Sequence, residues 1–125
     1  MSYRAWACNA YVMSWDNIKK LVPDEAQEYE KIMLATFDDE EEAALTLGKD
    51  TLPEGFENWK TALDNLYEAF LRYTGLTLQL GYISESDSDA DEVGVMWFVS
   101  GVETFTPAGE KFKDLFKFYQ WVEYG

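Results

Sequence analysis

Apolar residues at helical spacing are clearest in the middle of the chain. Between Pro53 and Gly75 they recur every three or four positions, which is the spacing of one helix face. Thr51 and Glu54 have the spacing of a capping box before this run, and Gly75 is a typical helix end. The sequence therefore predicts a core helix with the apolar face Phe56, Trp59, Leu63, Leu66, Tyr67, Phe70 and Tyr73.

Shorter helical patterns come earlier in the chain. Ser14 is a typical N-cap for a short helix that carries Ile18, Leu21 and Val22. Pro23 is favoured at the first position of a second helix, whose apolar face is Ala26, Tyr29, Met33 and Phe37. Asp38 and Glu41 then have capping-box-like spacing, and Gly48 supplies a stop.

The period changes to two after Gly75. Leu76, Leu78, Leu80 and Tyr82 alternate with smaller or polar residues, and residues 93–100 alternate again after an acidic loop. The two segments predict a hairpin. Both faces of the second strand are apolar, which favours a place inside the sheet, and Gly101 is expected to break it before residues 102–105 continue to a further edge. We interpret the first fourteen residues as another strand.

The last part of the chain predicts a closing helix. Thr106 and Pro107 are a cap followed by proline at the first helical position. The apolar positions of this helix are Phe112, Leu115, Phe116, Tyr119 and Val122. The element order β-α-α-α-β-β-α indicates a single α+β domain over residues 1–125, with an antiparallel sheet of three to four strands and helices packed mainly on one face.

Charge is concentrated in two blocks. The chain has 24 acidic and 10 basic residues, no histidine and a net charge of −14. Residues 24–57 hold twelve of the acids, and residues 84–103 hold six acids with no base. Such a field repels nucleic acid and anionic membranes and attracts basic protein surfaces. We therefore expect a basic protein partner, and neither direct nucleic-acid binding nor membrane binding.

Catalytic and cofactor chemistry have little support in the sequence. Without histidine there is no common general base and no conventional zinc site, and neither a phosphate-binding glycine loop nor a nucleophile elbow occurs. The single cysteine, Cys8, excludes an internal disulfide and favours a reducing, cytoplasmic setting. We expect a protein that is not an enzyme and has no cofactor.

The first acidic block contains five consecutive carboxylates at residues 38–42, the acidic pentad. One interpretation is a patch that docks lysine and arginine of a partner. The alternative is that the carboxylates only stabilise a helix N-terminus, where each contributes about 0.3–1 kcal/mol. Five in a row exceed what capping requires, because only the first turn feels the helix dipole. The sequence leaves both interpretations open.

The second acidic block alternates carboxylates with small residues. In an extended loop, its carboxylates would lie on one side at intervals of roughly 6.6–6.8 Å. A row of this kind can imitate a phosphate backbone in a basic groove, and the alternative is a solvated hairpin loop. Asp87, Asp89 and Asp91 also copy the first ligands of an EF-hand loop. Glu92 and Phe98 then stand where that loop needs glycine and glutamate, so no metal site is predicted.

Aromatic residues form a further candidate surface. The chain has 5 Trp, 8 Tyr and 8 Phe, more than a core of this size needs. One interpretation is that Trp15, Phe118, Trp121 and Tyr124 form a contact surface, since such residues are favoured at interface centres. The alternative is that they cover the sheet.

Two hypotheses of function follow. The first is a small acidic, non-catalytic binding protein that docks a basic protein surface, with nucleic-acid mimicry as its sharpest form. Acidic inhibitors of restriction or CRISPR nucleases and immunity proteins against nuclease toxins provide the analogy. The second is a scaffold subunit that contacts its partner through exposed aromatics, here Trp121 and Tyr124. The predicted docking residues are Asp38, Asp39, Glu40, Glu41, Glu42, Glu85, Asp87, Asp89, Asp91 and Glu92.

Overall fold

Four antiparallel strands and five helices make up the part of the chain that the computed structural model describes, which is residues 5–83, 94–102 and 106–124. Side chains are described for residues 10–82, 94–102 and 106–118. The elements are β1 (Ala5–Met13), α1 (Trp15–Leu21), α2 (Pro23–Thr36), α3 (Glu40–Thr46), α4 (Phe56–Thr74), β2 (Thr77–Ile83), β3 (Gly94–Ser100), α5 (Pro107–Lys111) and β4 (Phe116–Tyr124). The predicted α+β class is confirmed.

The strands lie in the order β2-β3-β1-β4. Strand β3 is interior, as the apolar character of both its faces predicted. Strand β1 lies between β3 and β4, with Met13 opposite Trp97 on one side and Phe116 on the other. This register brings the start of α1 close to the middle of β3, because α1 begins directly after β1.

One sheet face packs against the helices and forms the core. Leu78, Leu80, Trp97, Val99 and Met13 are buried on this face. Buried side chains of α1, α2 and α4 cover it, and they are Ile18, Ala26, Tyr29, Met33, Trp59, Leu63, Leu66 and Phe70. The predicted apolar faces of α2 and α4 are therefore largely confirmed. Tyr73 is the exception, because 57% of its surface is exposed.

The other sheet face carries Val12 of β1, which is buried, and pairs it with Phe98 of β3. Phe98 and Met96 of β3 are half-buried there, beside Gly81 of β2. A Cβ atom at Gly81 would lie 2.5 Å from Cε2 of Phe98, so the ring occupies the space that glycine leaves. This close approach explains a glycine in the middle of a strand.

Local capping signals are mostly found where the sequence places them. The Ser14 hydroxyl accepts a hydrogen bond from Asn17 N at 3.2 Å, and Thr106 Oγ1 accepts one from Gly109 N at 3.1 Å. The capping box predicted at Thr51 is wrong. Helix α4 begins four residues after Leu52, at Phe56, and its N-cap is Gly55 with φ of 88°, a conformation that glycine adopts readily.

The predicted closing helix is also wrong beyond its first turn. Helix α5 ends at Lys111, and Phe116–Tyr124 form strand β4 along β1. Phe112, Leu115, Phe116, Tyr119 and Val122 fit a helical period, but six of the nine residues of β4 are aromatic or β-branched, and these favour strands. Because the segment pairs with all nine residues of β1, it forms a strand and not a helix. Helix α3 at residues 40–46 lies within the helical pattern predicted between Asp38 and Gly48, so four helices precede β2 where the predicted order has three.

Candidate functional site

The acidic pentad builds the start of α3. Asp39 is the N-cap, and its Oδ1 accepts a hydrogen bond from Glu42 N at 2.9 Å. In return, Glu42 Oε2 accepts a hydrogen bond from Asp38 N at 3.0 Å. The reciprocal pair is a capping box displaced by one residue from the predicted Asp38–Glu41 spacing. Two pentad carboxylates therefore have a structural role, although both side chains stay exposed.

Two further pentad carboxylates connect α3 to the sheet. Glu40 Oε1 accepts a hydrogen bond from the indole Nε1 of Trp97 at 2.9 Å. Glu41 Oε1 accepts one from the hydroxyl of Tyr82 at 3.1 Å. Glu40 is half-buried and Glu41 is exposed. The pentad thus presents one partly buried carboxylate inside an otherwise exposed acidic surface.

Trp97 belongs to a cluster of three aromatic rings under α1 and α2. The rings of Trp15 and Trp97 are stacked, with centroids 5.1 Å apart and planes at 25°. Tyr29 meets Trp97 edge-on at 5.6 Å. Trp15 Nε1 donates a hydrogen bond to Glu30 Oε2 at 3.0 Å. The two stacked indoles therefore donate to two different carboxylates, one on α2 and one on α3.

A cavity of about 150 Å³ lies beside this cluster. Cavities of that size hold a benzene-sized molecule. Leu34, 57% exposed, is at its rim. We call it the acidic–aromatic cavity, and its lining residues are Trp15, Tyr29, Glu30, Met33, Leu34 and Glu40.

The two carboxylates of the cavity have opposite electrostatic environments. The hydrogen bond from Trp15 lowers the pKa of Glu30, and Lys19 Nζ, 3.4 Å from Glu30 Oε2, lowers it further against the effect of burial. Burial raises the pKa of Glu40, the hydrogen bond from Trp97 opposes that rise, and the charge of Glu30 adds to it. Glu40 pairs with no lysine or arginine in the described part of the chain.

Each carboxylate has one oxygen held by an indole and one without a hydrogen bond. Glu30 uses Oε2 for both Trp15 and Lys19, and Glu40 uses Oε1 for Trp97. Within the described residues, Glu30 Oε1 and Glu40 Oε2 accept no hydrogen bond. The cavity therefore combines aromatic walls, two free carboxylate oxygens and one uncompensated negative charge, which is an arrangement suited to a cation.

The hydroxyl of Tyr29 lies deeper in the core. Tyr29 is 1% exposed, and neither its hydroxyl nor the indole nitrogen of Trp59 has a hydrogen-bond partner within residues 10–82, 94–102 and 106–118. Burial raises the pKa of Tyr29, and the Glu40 charge adds to that rise. The Trp59 indole is near the hydroxyl and opposes the rise, although the two groups do not meet hydrogen-bond geometry. This phenol stays neutral at physiological pH.

Other clefts are larger but less distinctive. A cleft of about 450 Å³ adjoins the cavity, shares Glu30 and Leu34 with it, and is lined by Lys19 and Lys31. Another, of about 710 Å³ between α2 and α4, is lined mainly by small and amide side chains with Glu28 and Glu54. Neither brings an aromatic ring together with a carboxylate. Clefts of about 490 Å³ at Phe56 and Glu57 and of about 290 Å³ at Tyr73 and Glu25 each combine one ring with one carboxylate, whereas the acidic–aromatic cavity has two rings and two carboxylates.

The remaining predicted site residues are placed as follows. Trp121 and Tyr124 lie on the edge strand β4, opposite Cys8 and Ala5, and not on a helix.

No group of three or more potential metal ligands occurs in the described residues. None of the helices described there is long and apolar enough to cross a membrane. The second acidic block lies outside the described residues, and its predicted members are Glu85, Asp87, Asp89, Asp91 and Glu92.

Sequence reasoning missed the contribution of Glu30, Trp15 and Tyr29 to one site. Glu30 follows the buried Tyr29 on α2 and is itself partly exposed, and its place beside Tyr29 is the only local signal for it. The contact between Glu40 and Trp97 joins residues 57 positions apart, and no local pattern indicates it. Comparison with protein-family models, curated proteins and solved structures finds no match to this chain.

Proposed function

We propose that the protein is a small acidic, non-catalytic binding module that docks a basic protein surface through the acidic pentad and the adjoining acidic–aromatic cavity. The observation that carries the proposal is Glu40. Its half-buried carboxylate lies beside a cavity and pairs with no cation in the described residues, while Asp38 and Glu41 are exposed around it. A basic side chain from a partner would supply the missing positive charge.

The fixed geometry of the pentad supports the same function. Four of its five carboxylates make hydrogen bonds to the backbone or to the sheet, so their positions are held before a partner arrives. Preorganised groups lose less conformational entropy on binding than mobile ones do. Nucleic-acid mimicry toward a nuclease or another nucleic-acid-binding protein is the sharpest form of this proposal.

The proposal is tested by pull-down with matched charge-reversal variants. The double variant Asp38→Lys with Glu41→Lys changes the pentad charge by four units. The control variant Glu57→Lys with Asp114→Lys makes the same change at exposed carboxylates outside the pentad. We expect a basic partner that is lost at high salt and with the pentad variant, and retained with the control. Equal loss with both variants, or a salt-insensitive partner, would contradict the proposal.

An aromatic contact is the second candidate function. Phe118 of the edge strand β4 is 55% exposed and meets Tyr11 edge-to-face at 5.5 Å. A large exposed aromatic on an edge strand suits a scaffold subunit that binds through apolar contacts. Under this alternative, Phe118→Ala should weaken partner binding by about 2 kcal/mol or more, and the pentad reversal should leave it unchanged.

A further inference from the structure

We infer that the acidic–aromatic cavity receives a single arginine side chain of the partner, and this inference rests on the proposed function. The cavity differs from the exposed pentad because it is bounded by Trp15, Tyr29 and Met33 as well as by carboxylates. It can therefore select a kind of side chain, whereas an exposed acidic patch attracts any cation.

The carboxylate geometry favours guanidinium over ammonium. Glu30 Oε1 and Glu40 Oε2 are the oxygens of these two carboxylates that have no hydrogen bond in the described residues, and the two residues line the cavity from different helices. A guanidinium group has five N–H donors in a rigid fork and can reach two acceptors at once. A lysine ammonium is a compact, strongly hydrated point charge, so removing it from water for the same two contacts is less favourable.

The size of the cavity and its aromatic walls also favour arginine. About 150 Å³ accommodates a planar group no larger than benzene, and a guanidinium has fewer heavy atoms than that. Arginine also stacks on aromatic rings and is less strongly hydrated than ammonium. Arg72, the arginine of the described residues, pairs with Glu68 at 3.2 Å on α4 and does not occupy the cavity.

Charge balance explains why an added cation is favourable. Lys19 Nζ compensates the charge of Glu30 from 3.4 Å, but it does so at Oε2, the oxygen that also accepts the hydrogen bond from Trp15. Glu40 has no cation partner among the described residues, and the charges of Glu30 and Glu40 repel each other. An arginine between them would relieve this repulsion while both indole hydrogen bonds stay in place.

The experiment is an NMR titration of the full ¹⁵N-labelled chain with N-acetyl-arginine-N′-methylamide. The indole N–H signals of Trp15 and Trp97 report on the cavity, since each donates to one of the two carboxylates. The corresponding derivatives of lysine and trimethyl-lysine are titrated at the same concentrations and ionic strength. We expect saturable shifts of both indole signals with the arginine probe, in the range of about 1–10 mM for a single side chain.

Two variants provide the controls. Glu40→Gln keeps an oxygen that can accept from Trp97 but removes the charge, so the arginine probe should bind at least about tenfold more weakly. Glu57→Gln removes an exposed charge outside the acidic pentad and the cavity and should leave the titration unchanged to within about twofold. Glu30→Gln gives a second test at the opposite wall, with a loss of the same kind as Glu40→Gln.

The results separate the inference from the proposed function. Absence of shifts, equal binding of the lysine probe, tighter binding of the trimethyl-lysine probe, or an unchanged titration in Glu40→Gln would each overturn the arginine assignment. A salt-sensitive partner that still depends on Asp38 and Glu41 would then leave the docking proposal standing. Loss of that partner dependence with an intact arginine titration would overturn the docking proposal and leave a cavity that binds arginine.

Discussion

Replacing Trp97 with phenylalanine tests the link between the sheet and the acidic pentad. Trp97 is 3% exposed, and its indole donates to Glu40 at 2.9 Å. Hydrogen bonds to charged groups contribute about 1.5–3 kcal/mol, and the smaller ring also loses part of its contacts with Trp15 and Tyr29. We expect Trp97→Phe to lower the free energy of unfolding by about 2–4 kcal/mol at pH 7.

The stability lost in Trp97→Phe should depend on pH, because the Glu40 carboxylate that accepts the hydrogen bond titrates. Trp97 stabilises the charged form of Glu40, so its loss raises the pKa of that carboxyl further. Below this pKa the lost bond is to a neutral group, which contributes only about 0.5–1.5 kcal/mol. The cost of Trp97→Phe should therefore fall by about 1 kcal/mol or more between pH 7 and pH 4.

Urea unfolding followed by far-UV circular dichroism measures the free energy of unfolding of wild type and Trp97→Phe at pH 7 and at pH 4, without relying on tryptophan emission. Trp59→Phe is the matched control. Trp59 is fully buried, but its indole nitrogen has no hydrogen-bond partner in the described residues, so its cost should not change with pH. A cost below about 1 kcal/mol for Trp97→Phe at pH 7, or the same cost at both pH values, would refute the reasoning.

Three further outcomes are expected from the titratable and buried polar groups. Because the pKa of Glu40 is raised in the folded protein, this residue stabilises the fold at low pH, and the stabilisation is lost as the pH rises through that pKa. In melting curves recorded from pH 3 to 8, Glu40→Gln should therefore remove this loss of stability. The lowered pKa of Glu30 has the opposite sign, so Glu30→Gln should lower the melting temperature at pH 7, and less so as the pH falls through that pKa. Tyr29→Phe removes a buried hydroxyl without a partner and should leave the stability unchanged or raise it by about 1 kcal/mol, whereas a loss of that size would show that the hydroxyl is bonded.

Much of the fold could be predicted because its signals are local. The alternation around Leu78 and Leu80, the helical spacing around Leu63 and Leu66, and the caps at Ser14 and Thr106 each depend on a few neighbouring residues. These signals gave the class, the hairpin and the helix-covered face.

The errors occur where a distant contact decides between two local options. Phe116 and Tyr119 fit both a helix and a strand, and pairing with β1 selects the strand. The predicted docking role of the pentad remains a proposal, but its geometry depends on Trp97 and Tyr82, which come from a sheet that forms far along the chain. The cavity was not predicted because it needs α1, α2 and α3 to be placed together.

The dissociation constant of the complex with the captured partner, measured at two salt concentrations, tests the central claim most directly. Between about 50 and 300 mM salt the Debye length falls from roughly 14 to 6 Å, so exposed charges are screened. We predict that the affinity of the wild-type protein for the partner falls at least about tenfold over this range. The variant Asp38→Lys with Glu41→Lys should already bind weakly at low salt, and the control Glu57→Lys with Asp114→Lys should bind as the wild type does. Equal constants for the two double variants at low salt would contradict the claim that the acidic pentad is the docking surface.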